Sequence, residues 1–351
     1  MGDPLHTRAC DLFGVRYPIV QTAMGWVATP ELVAGTANAG GMGFLACAVM
    51  HPDEADAAIR RVRELTDQPF GVNFLMEQPG ADRIVESIVE HGVRAASYSR
   101  SPNAAFIERM KKAGVVCVPT VGAARHAEKA VKLGADIVVI QGGEGGGHTG
   151  VVPTSLLLPA VLDVVDVPVL AAGGFHDGRG LAAALAWGAD GVAMGTRFLL
   201  TAESPVPDAT VDRYFAAGMA DVVVTREVDG MPQRVIRNEF LDRLESGSSL
   251  TRLARALASG LEYRKMSGAS IPELLRSALA MRSSDKLTPT QTLMAANAPV
   301  FIQRAMVDGR PADGVLPSGQ VAGLISDRPT CAQLIEGMVE QARARLAALA
   351  G

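Results

Sequence analysis

The chain has 351 residues, of which 48% are apolar and 20% charged, and 33 Lys and Arg residues against 37 Asp and Glu residues give it a net charge of −4. This composition is typical of a globular protein and excludes an intrinsically disordered chain, while the acidic balance argues against nucleic acid as a partner. The first six residues contain no apolar run, and the most apolar stretch, residues 151–174, includes two aspartates and three prolines. We therefore expect neither a signal peptide nor a membrane span.

The four cysteines are scattered along the chain, at positions 10, 47, 117 and 331. Their spacing matches neither a zinc site nor a redox motif, so we predict reduced thiols, a cytoplasmic location and no metal site. The sequence leaves the oligomeric state open, and a homodimer is one of the alternatives.

Short apolar segments rich in branched side chains alternate with longer amphipathic segments between residues 18 and 195. The candidate strands are residues 18–23, 43–47, 70–75, 93–98, 115–120, 135–141, 167–172 and 191–195. Strands that read as nearly continuous apolar runs are buried on both faces, and their alternation with helices indicates a parallel sheet. The sequence therefore predicts an α/β fold in the form of a (β/α)₈ TIM barrel.

The ends of several predicted helices are marked by capping residues. Thr29 precedes Pro30, the order expected at an N-cap and the first helical position. Asp177 is the expected cap of the helix that follows the seventh strand. Gly114, after two lysines, marks the end of the helix before the fifth strand.

The sixth strand leads directly into residues 142–150, which read Gly-Gly-Glu-Gly-Gly-Gly-His-Thr-Gly. Such a run is costly in chain entropy and is expected where the backbone must approach another group closely. In a parallel barrel the loop would lie at the end where catalytic residues are found. His148 can take up or return a proton near neutral pH, so we predict that it is the catalytic residue. A flexible loop with an incidental histidine is the alternative.

The last two strands also end in glycines. Gly173 and Gly174 follow the seventh strand, and Gly195 and Thr196 follow the eighth. Loops at these two places commonly bind phosphate in TIM barrels, through backbone N–H groups and a helix N-terminus. We therefore predict a phosphate site there, with a simple chain turn as the alternative for each glycine pair.

After the eighth strand the alternating pattern stops. Residues 205–315 are predicted to form a mainly helical insertion on the substrate side, with helices at 250–266, 271–282 and 290–306. Residues 1–204 would form the barrel and residues 316–351 a return segment, in which 331–349 supply the last barrel helix. Residues 225–310 contain 13 Lys and Arg against 9 Asp and Glu. Solvated helix faces are the favoured interpretation of this basic excess, and a lid that attracts an anionic substrate is the alternative.

These motifs together resemble the nitronate monooxygenase (2-nitropropane dioxygenase-like) family of FMN-dependent TIM barrels, which also includes flavin enoyl-thioester reductases. The resemblance covers nearly the whole chain, through residues 18–24, 71–73, 144–148, 173–174, 194–197 and 318–320. It implies that the chain binds FMN and that His148 is the family's catalytic histidine. It further implies that the cofactor-binding residues are Ala23, Met24, Gly25, Asn73, Thr120, Gln141, Gly146, Gly173, Gly174, Gly195, Thr196, Ser318 and Gly319.

Within that set, the resemblance places residues 23–25 along the isoalloxazine ring and the glycines after the last two strands at the phosphate. Asn73 would bind the polar edge of the ring, and the alternative is a strand-end residue that binds its own backbone. Ser318 and Gly319 would belong to a return segment that touches the flavin.

The chain departs from the family pattern at two positions. Thr120 and Gln141 stand where many nitronate-oxidising members have Lys and Asp. The loss of a cation near the flavin disfavours its anionic reduced form, which argues against nitronate oxidation more than against FMN binding. Residues 228–232, 294–297 and 315–320 look more like a subgroup from steroid-ring catabolism whose members act on coenzyme A thioesters.

The leading interpretation is therefore an FMN-dependent oxidoreductase acting at a carbon activated by an acyl-CoA thioester or a similar group, in steroid-ring degradation. One alternative is a true nitronate monooxygenase that oxidises alkyl nitronates with O₂. Another is a barrel that binds a phosphorylated metabolite without catalysis.

Overall fold

The computed structural model describes residues 3–99, 102–246 and 289–350. These residues form two compact units. The first takes the described residues within Met1–Gly145, Thr149–Pro205 and Leu324–Gly351, and the second takes those within Gly146–His148 and Val206–Gly323.

Eight parallel strands of the first unit close into a barrel. They are β1 (Ile19–Gln21), β2 (Met42–Ala46), β3 (Gly71–Asn73), β4 (Ala95–Tyr98), β5 (Val116–Val121), β6 (Val138–Gln141), β8 (Val169–Ala172) and β9 (Gly191–Met194), while β7 (Gly147–His148) belongs to the second unit. The first strand closes the ring because Val20 lies opposite Met42 on one side and Ala193 on the other. The predicted TIM barrel and its eight strands are confirmed.

The helices of the first unit follow the strands in the expected alternation. They are α1 (Arg8–Phe13), α2 (Pro30–Asn38), α3 (Pro52–Leu65), α4 (Ala81–Glu90), α5 (Ala104–Lys112), α6 (Ala124–Lys132), α7 (Thr154–Leu162), α8 (Gly178–Ala186), α9 (Thr196–Leu199) and α13 (Cys331–Ala350). The long last helix packs against α8 and α2. It therefore takes the place of the eighth barrel helix, as predicted, although it lies far along the chain.

The predicted capping residues stand at the ends of their helices. Asp177 Oδ1 accepts hydrogen bonds from the backbone N–H groups of Arg179, at 3.0 Å, and Gly180, at 3.1 Å. Thr29 is the N-cap of α2 and Pro30 its first residue, but the threonine side chain makes no capping hydrogen bond. The backbone geometry expected at this helix start is thus present without the side-chain bond.

Two apolar clusters form the core of the first unit. One joins strands to the surrounding helices and includes the fully buried Ile59, Val72 and Ile84. The other extends from α1 into the barrel, where the rings of Phe13 and Phe44 meet edge to face with centroids 6.2 Å apart. Burial of the strands on both faces explains why their sequences are almost entirely apolar.

The second unit contains a small antiparallel sheet that the sequence analysis did not predict. Its strand order is β10 (Val222–Thr225), β11 (Gln233–Ile236) and β7. Its described helices are α10 (Asp208–Ala216), α11 (Glu239–Glu245) and α12 (Pro289–Met306). The last of these matches the predicted helix at 290–306, whereas the predicted helices at 250–266 and 271–282 lie outside the described residues.

The core of the second unit is a compact apolar cluster. Its members are Val228, Val235, Phe240, Leu241, Leu244, Ala298, Phe301 and Val315. The rings of Phe240 and Phe301 meet edge to face at 4.9 Å, which joins α11 to α12. Apolar side chains from helices and from strand β11 therefore hold this unit together.

Candidate active site

The carboxyl ends of the parallel strands meet at one end of the barrel, which is where TIM-barrel enzymes carry their active sites. The predicted cofactor residues of the first unit all lie at or just after a strand end: Ala23, Met24, Gly25, Asn73, Thr120, Gln141, Gly173, Gly174, Gly195 and Thr196. The fold thus collects residues from six strands at one end of the barrel.

Glu144 ties the glycine-rich loop to the start of α7. Its carboxylate accepts hydrogen bonds from the Thr154 backbone N–H at 3.0 Å and from the Thr154 hydroxyl at 2.9 Å. A negative charge at a helix N-terminus is favourable, and these bonds satisfy a donor that the helix itself cannot satisfy. Glu144 therefore anchors the loop, a role that was not predicted from the sequence.

Gly173 and Gly174 both have left-handed backbones that favour glycine, with φ of +100° at Gly173, and Gly173 is closely packed as well. A Cβ atom on Gly173 would lie 3.0 Å from Thr154 Oγ1 and 3.2 Å from the Gly142 carbonyl oxygen, so this residue is closely packed. Gly174 has a φ of +88°, and no atom lies closer than 3.9 Å to the place of its Cβ. Among the described residues, neither N–H group has a protein acceptor. Exposed backbone donors without side chains suit a bound anion.

The end of β9 lies against the segment after β1. A Cβ atom on Gly195 would be 3.1 Å from Thr22 Oγ1 and 3.4 Å from Met24 Sδ. Just beyond it, the buried Arg197 donates to Asp327 Oδ1 at 2.6 Å and to the Leu200 carbonyl at 2.9 Å. The arginine therefore holds the chain after β9 in place.

Two of the predicted polar residues already have neighbours within the barrel unit. Asn73 Nδ2 donates to the Ser97 carbonyl oxygen at 3.1 Å on the neighbouring strand. The Gln141 side chain lies against Gly145, where an added Cβ would be 2.8 Å from Gln141 Nε2. The Asn73 contact resembles the structural alternative considered above, with a neighbouring strand in place of the residue's own backbone.

His148 lies in the second unit and is held by a buried carboxylate. Its Nε2 is 2.6 Å from Asp229 Oδ2, and the Asp229 side chain is 8% exposed. The same oxygen accepts from Gln233 Nε2 at 2.6 Å, while Oδ1 accepts from the Met231 backbone N–H at 2.9 Å. Burial raises the pKa of Asp229, but hydrogen bonds from His148, Met231 and Gln233 outweigh it, so the pKa lies below its ordinary value.

The short strand β7 explains how this pair forms. His148 lies opposite Gln233 in the antiparallel ladder with β11, and Gly147 lies opposite Arg234. Asp229 comes from the turn that precedes β11. The histidine and its carboxylate are 81 positions apart in the chain, so strand pairing brings them together.

The predicted return segment contacts the glycine next to β7. A Cβ atom on Gly146 would lie 2.6 Å from both the Gly319 nitrogen and the Ser318 carbonyl carbon. Ser318 is fully buried, and its backbone N–H donates to the Arg234 carbonyl at 3.1 Å. The structure therefore brings Gly146, Ser318 and Gly319 together.

Several described cations of the predicted basic region are paired locally. Arg237 contacts Asp242 and Glu245, while Arg243 and Arg310 both contact Asp313. These pairs favour the interpretation as solvated helix faces. Seven of the 13 Lys and Arg residues lie outside the described residues.

His176, after β8, is partly buried, and that burial lowers its pKa despite the neighbouring Asp177. Within the described ranges, no helix combines the length and apolar character needed to cross a membrane.

Sequence reasoning missed Asp229 and Gln233. The segment 228–232 was singled out only for its resemblance to a subgroup, and nothing local marks its aspartate as a partner of His148. An Asp-Gly pair reads as a turn, so the available signal pointed to a loop.

Comparison with known proteins agrees with this architecture. The sequence profile "Nitronate monooxygenase" matches residues 6–341. The chain is 50% identical, over 98% of each chain, to a Rhodococcus jostii protein named (3aS,4S,5R,7aS)-5-hydroxy-7a-methyl-1-oxo-octahydro-1H-indene-4-carboxyl-CoA dehydrogenase. It is 52% identical, over 95% of each chain, to the protein of the same name from Mycobacterium tuberculosis. The structure of FabK from Thermotoga maritima aligns over 99% of both chains with a TM-score of 0.79 and 32% identity.

These matches set aside the alternative of a non-catalytic barrel, and proteins of this family are in general flavoproteins. The closed barrel, the residues collected at its carboxyl end and the profile match lead to the same conclusion. The chain belongs to the nitronate monooxygenase family and is an oxidoreductase.

Proposed function

We propose that this oxidoreductase depends on FMN and acts at a carbon activated by an acyl-CoA thioester. The observation that carries the proposal is the identity of 50% to a named CoA dehydrogenase over 98% of both chains. So long a match includes the second unit as well as the barrel. A resemblance limited to the barrel would support the cofactor but would not indicate the substrate.

The residues at the barrel end fit FMN. The N–H groups of Gly173 and Gly174 are donors without side chains, and Gly195 and Thr196 follow the neighbouring strand. In our proposal these four residues hold the phosphate. The residues assigned to the ring and its edge are Ala23, Met24, Gly25, Asn73, Thr120 and Gln141, with Gly146, Ser318 and Gly319 from the second unit. Bound FMN would supply hydride chemistry, which no amino-acid side chain provides.

His148 is proposed as the catalytic residue. Its imidazole would accept the proton that leaves the substrate when a hydride is removed. His148 is joined directly to Thr149 of the barrel unit by the chain. The residue type, its carboxylate partner and its place in the glycine-rich loop support this role.

We further propose that residues 205–315 form a substrate-side insertion between the barrel, residues 1–204, and the return segment, residues 316–351. A cytoplasmic location also remains our proposal, supported by four free, buried cysteines.

The test begins with the absorption spectrum of the purified protein and mass identification of the small molecule released on denaturation. We expect a flavin spectrum and the mass of FMN. Anaerobic mixing with a hydroxyacyl-CoA of fused-ring type should then bleach the flavin, whereas the free acid should not. A colourless protein that does not take up FMN would contradict the cofactor assignment. Oxygen uptake with alkyl nitronates, without bleaching by any acyl-CoA, would favour the monooxygenase instead.

A further inference from the structure

The carboxylate of Asp229 contacts hydrogen-bonding groups of three residues. Oδ1 accepts from the Met231 backbone N–H at 2.9 Å, and Oδ2 accepts from Gln233 Nε2 and faces His148 Nε2, both at 2.6 Å. With a side chain only 8% exposed, Asp229 depends on these donors in place of water. The cluster is therefore a polar network in which each contact restricts the others.

The network determines which nitrogen of His148 carries hydrogen. An ionised carboxylate can only accept hydrogen bonds, so the nitrogen that faces Oδ2 at 2.6 Å must be a donor. The hydrogen bonds that lower the pKa of Asp229 keep it ionised near neutral pH. A neutral imidazole has one N–H group, and a hydrogen on Nε2 leaves the lone pair on Nδ1.

We propose that Asp229 is a positioning residue that holds neutral His148 as the Nε2–H tautomer, which makes Nδ1 the atom that accepts the substrate proton. Gln233 supports this arrangement because its amide nitrogen donates to the same carboxylate oxygen. The assignment of a reacting atom rests on the proposed function. In the step, the substrate X–H bond breaks and its proton passes to Nδ1, while the electron pair of that bond forms a C=X double bond. The neighbouring C–H bond breaks at the same time, and its hydrogen and electron pair would leave as a hydride to bound FMN, the oxidant. The resulting imidazolium is stabilised by the adjacent anion of Asp229.

If Asp229 served only to hold the fold, an uncharged residue of the same shape would leave the reaction rate unchanged. The ladder between β7 and β11 already pairs His148 with Gln233, so an uncharged residue of the same shape at position 229 would preserve the fold. Asp229→Asn is such a substitution. The Met231 N–H keeps the amide oxygen at the place of Oδ1, so the amide NH₂ takes the place of Oδ2 and donates to Nε2 of the histidine. The variant should therefore invert the tautomer without unfolding the protein.

The first experiment reads the tautomer directly. Nitrogen-15 NMR of the imidazoles, recorded at a pH where the rings are neutral, separates the protonated nitrogen from the unprotonated one, and His148→Gln assigns the signal. We expect Nε2–H in the native protein and Nδ1–H in Asp229→Asn, with Asp242→Asn, an exposed site in the same unit, like the native protein. A native protein in the Nδ1–H form overturns the inference, even if the variant does not fold.

The second experiment measures the rate of flavin bleaching by an acyl-CoA substrate under anaerobic conditions. Asp229→Asn should lower this rate by about 100-fold or more, the usual size of an acid–base contribution. Flavin content and substrate Kd should stay unchanged, and Asp242→Asn should react at the native rate. An unchanged rate in a variant with inverted tautomer overturns the assignment of Nδ1. If no acyl-CoA bleaches the native flavin, the proposed function fails, while the NMR result still decides the tautomer.

Discussion

At the scale of single residues, the glycines of the site have separable reasons to be glycine. Gly146 is crossed by the return segment, with an added Cβ at 2.6 Å from backbone atoms of residues 318 and 319. Gly174 has open space around it but a left-handed backbone. In the sequence both residues are simply glycines. The close contact at Gly146 and the left-handed backbone at Gly174 nevertheless predict different effects of mutation.

Gly146→Ala should destabilise the protein by roughly 1–3 kcal/mol, the usual cost of overpacking a site that cannot relax. Backbone atoms cannot move aside as a flexible side chain can, so the return segment must shift. Denaturant unfolding measures the effect. Gly150→Ala is the matched control in the same loop, because nothing lies within 4 Å of its added Cβ. Equal stability losses in both variants would contradict the close approach.

Gly174→Ala should weaken FMN binding by about tenfold or more, since roughly 1–2 kcal/mol of left-handed strain would move the backbone donors. Gly188→Ala introduces similar strain, with a native φ of +98°, beyond the end of α8. We expect both variants to lose stability and only the first to lose cofactor affinity in a fluorescence titration. Undiminished FMN binding by Gly174→Ala would argue against this phosphate site.

At the scale of elements, the start of α8 was predictable because its cap is local. Asp177 binds N–H groups only two and three residues away. Such contacts can be predicted from a short stretch of sequence, because both partners lie within it. Strands β10 and β11 were not predicted, because four-residue segments depend on the partners they find. The two-residue β7 carries no apolar pattern at all, and only its pairing with β11 defines it.

Asp177→Ala should cost about 1 kcal/mol of stability at neutral pH, the usual value of an N-cap. Burial raises the pKa of Asp177, but the Arg179 side chain and the Gly180 N–H outweigh it, so the folded pKa lies below its ordinary value of 3.8. A lowered folded pKa stabilises the protein above the unfolded value, and this contribution is lost as pH falls through the folded pKa. The stability gap to native protein should therefore narrow below about pH 4.

Denaturation midpoints from neutral pH to pH 3 test this expectation. Asp212→Ala, at an exposed position of α10, is the control and should stay within about 0.5 kcal/mol of native protein. A gap that is the same at every pH would mean that the charge of Asp177 does not matter to folding.

At the scale of the whole molecule, all four cysteines are free and buried. Burial raises the pKa of Cys47, Cys117 and Cys331 to about 12 and also raises that of Cys10. The reactive species is the thiolate, so a raised pKa and lack of access both slow the reaction.

We therefore expect a thiol reagent to label the native protein very slowly and to label four cysteines per chain once the protein is denatured. Val151→Cys introduces a thiol at a site that is 93% exposed, and it should react at once without denaturant. Rapid labelling of native protein would show that one of the four thiols is accessible. Absorbance during labelling measures both the rate and the number.

The periodicity of apolar residues was sufficient to predict the barrel. Strands that are buried on both faces are continuous apolar runs, and helices that are buried on one face are amphipathic, so both patterns can be recognised in the local sequence. The glycine-rich strand ends were visible for a related reason, because their backbone conformation and close packing favour glycine. His148 was visible as the imidazole among those glycines. The residues that contact His148 and Gly146 could not be identified from the sequence. Asp229 reaches His148 across 81 positions, and Ser318 and Gly319 reach Gly146 across a longer interval. Contacts between distant segments arise from packing and strand pairing, which act after the local elements have formed and leave no mark of their own in either segment.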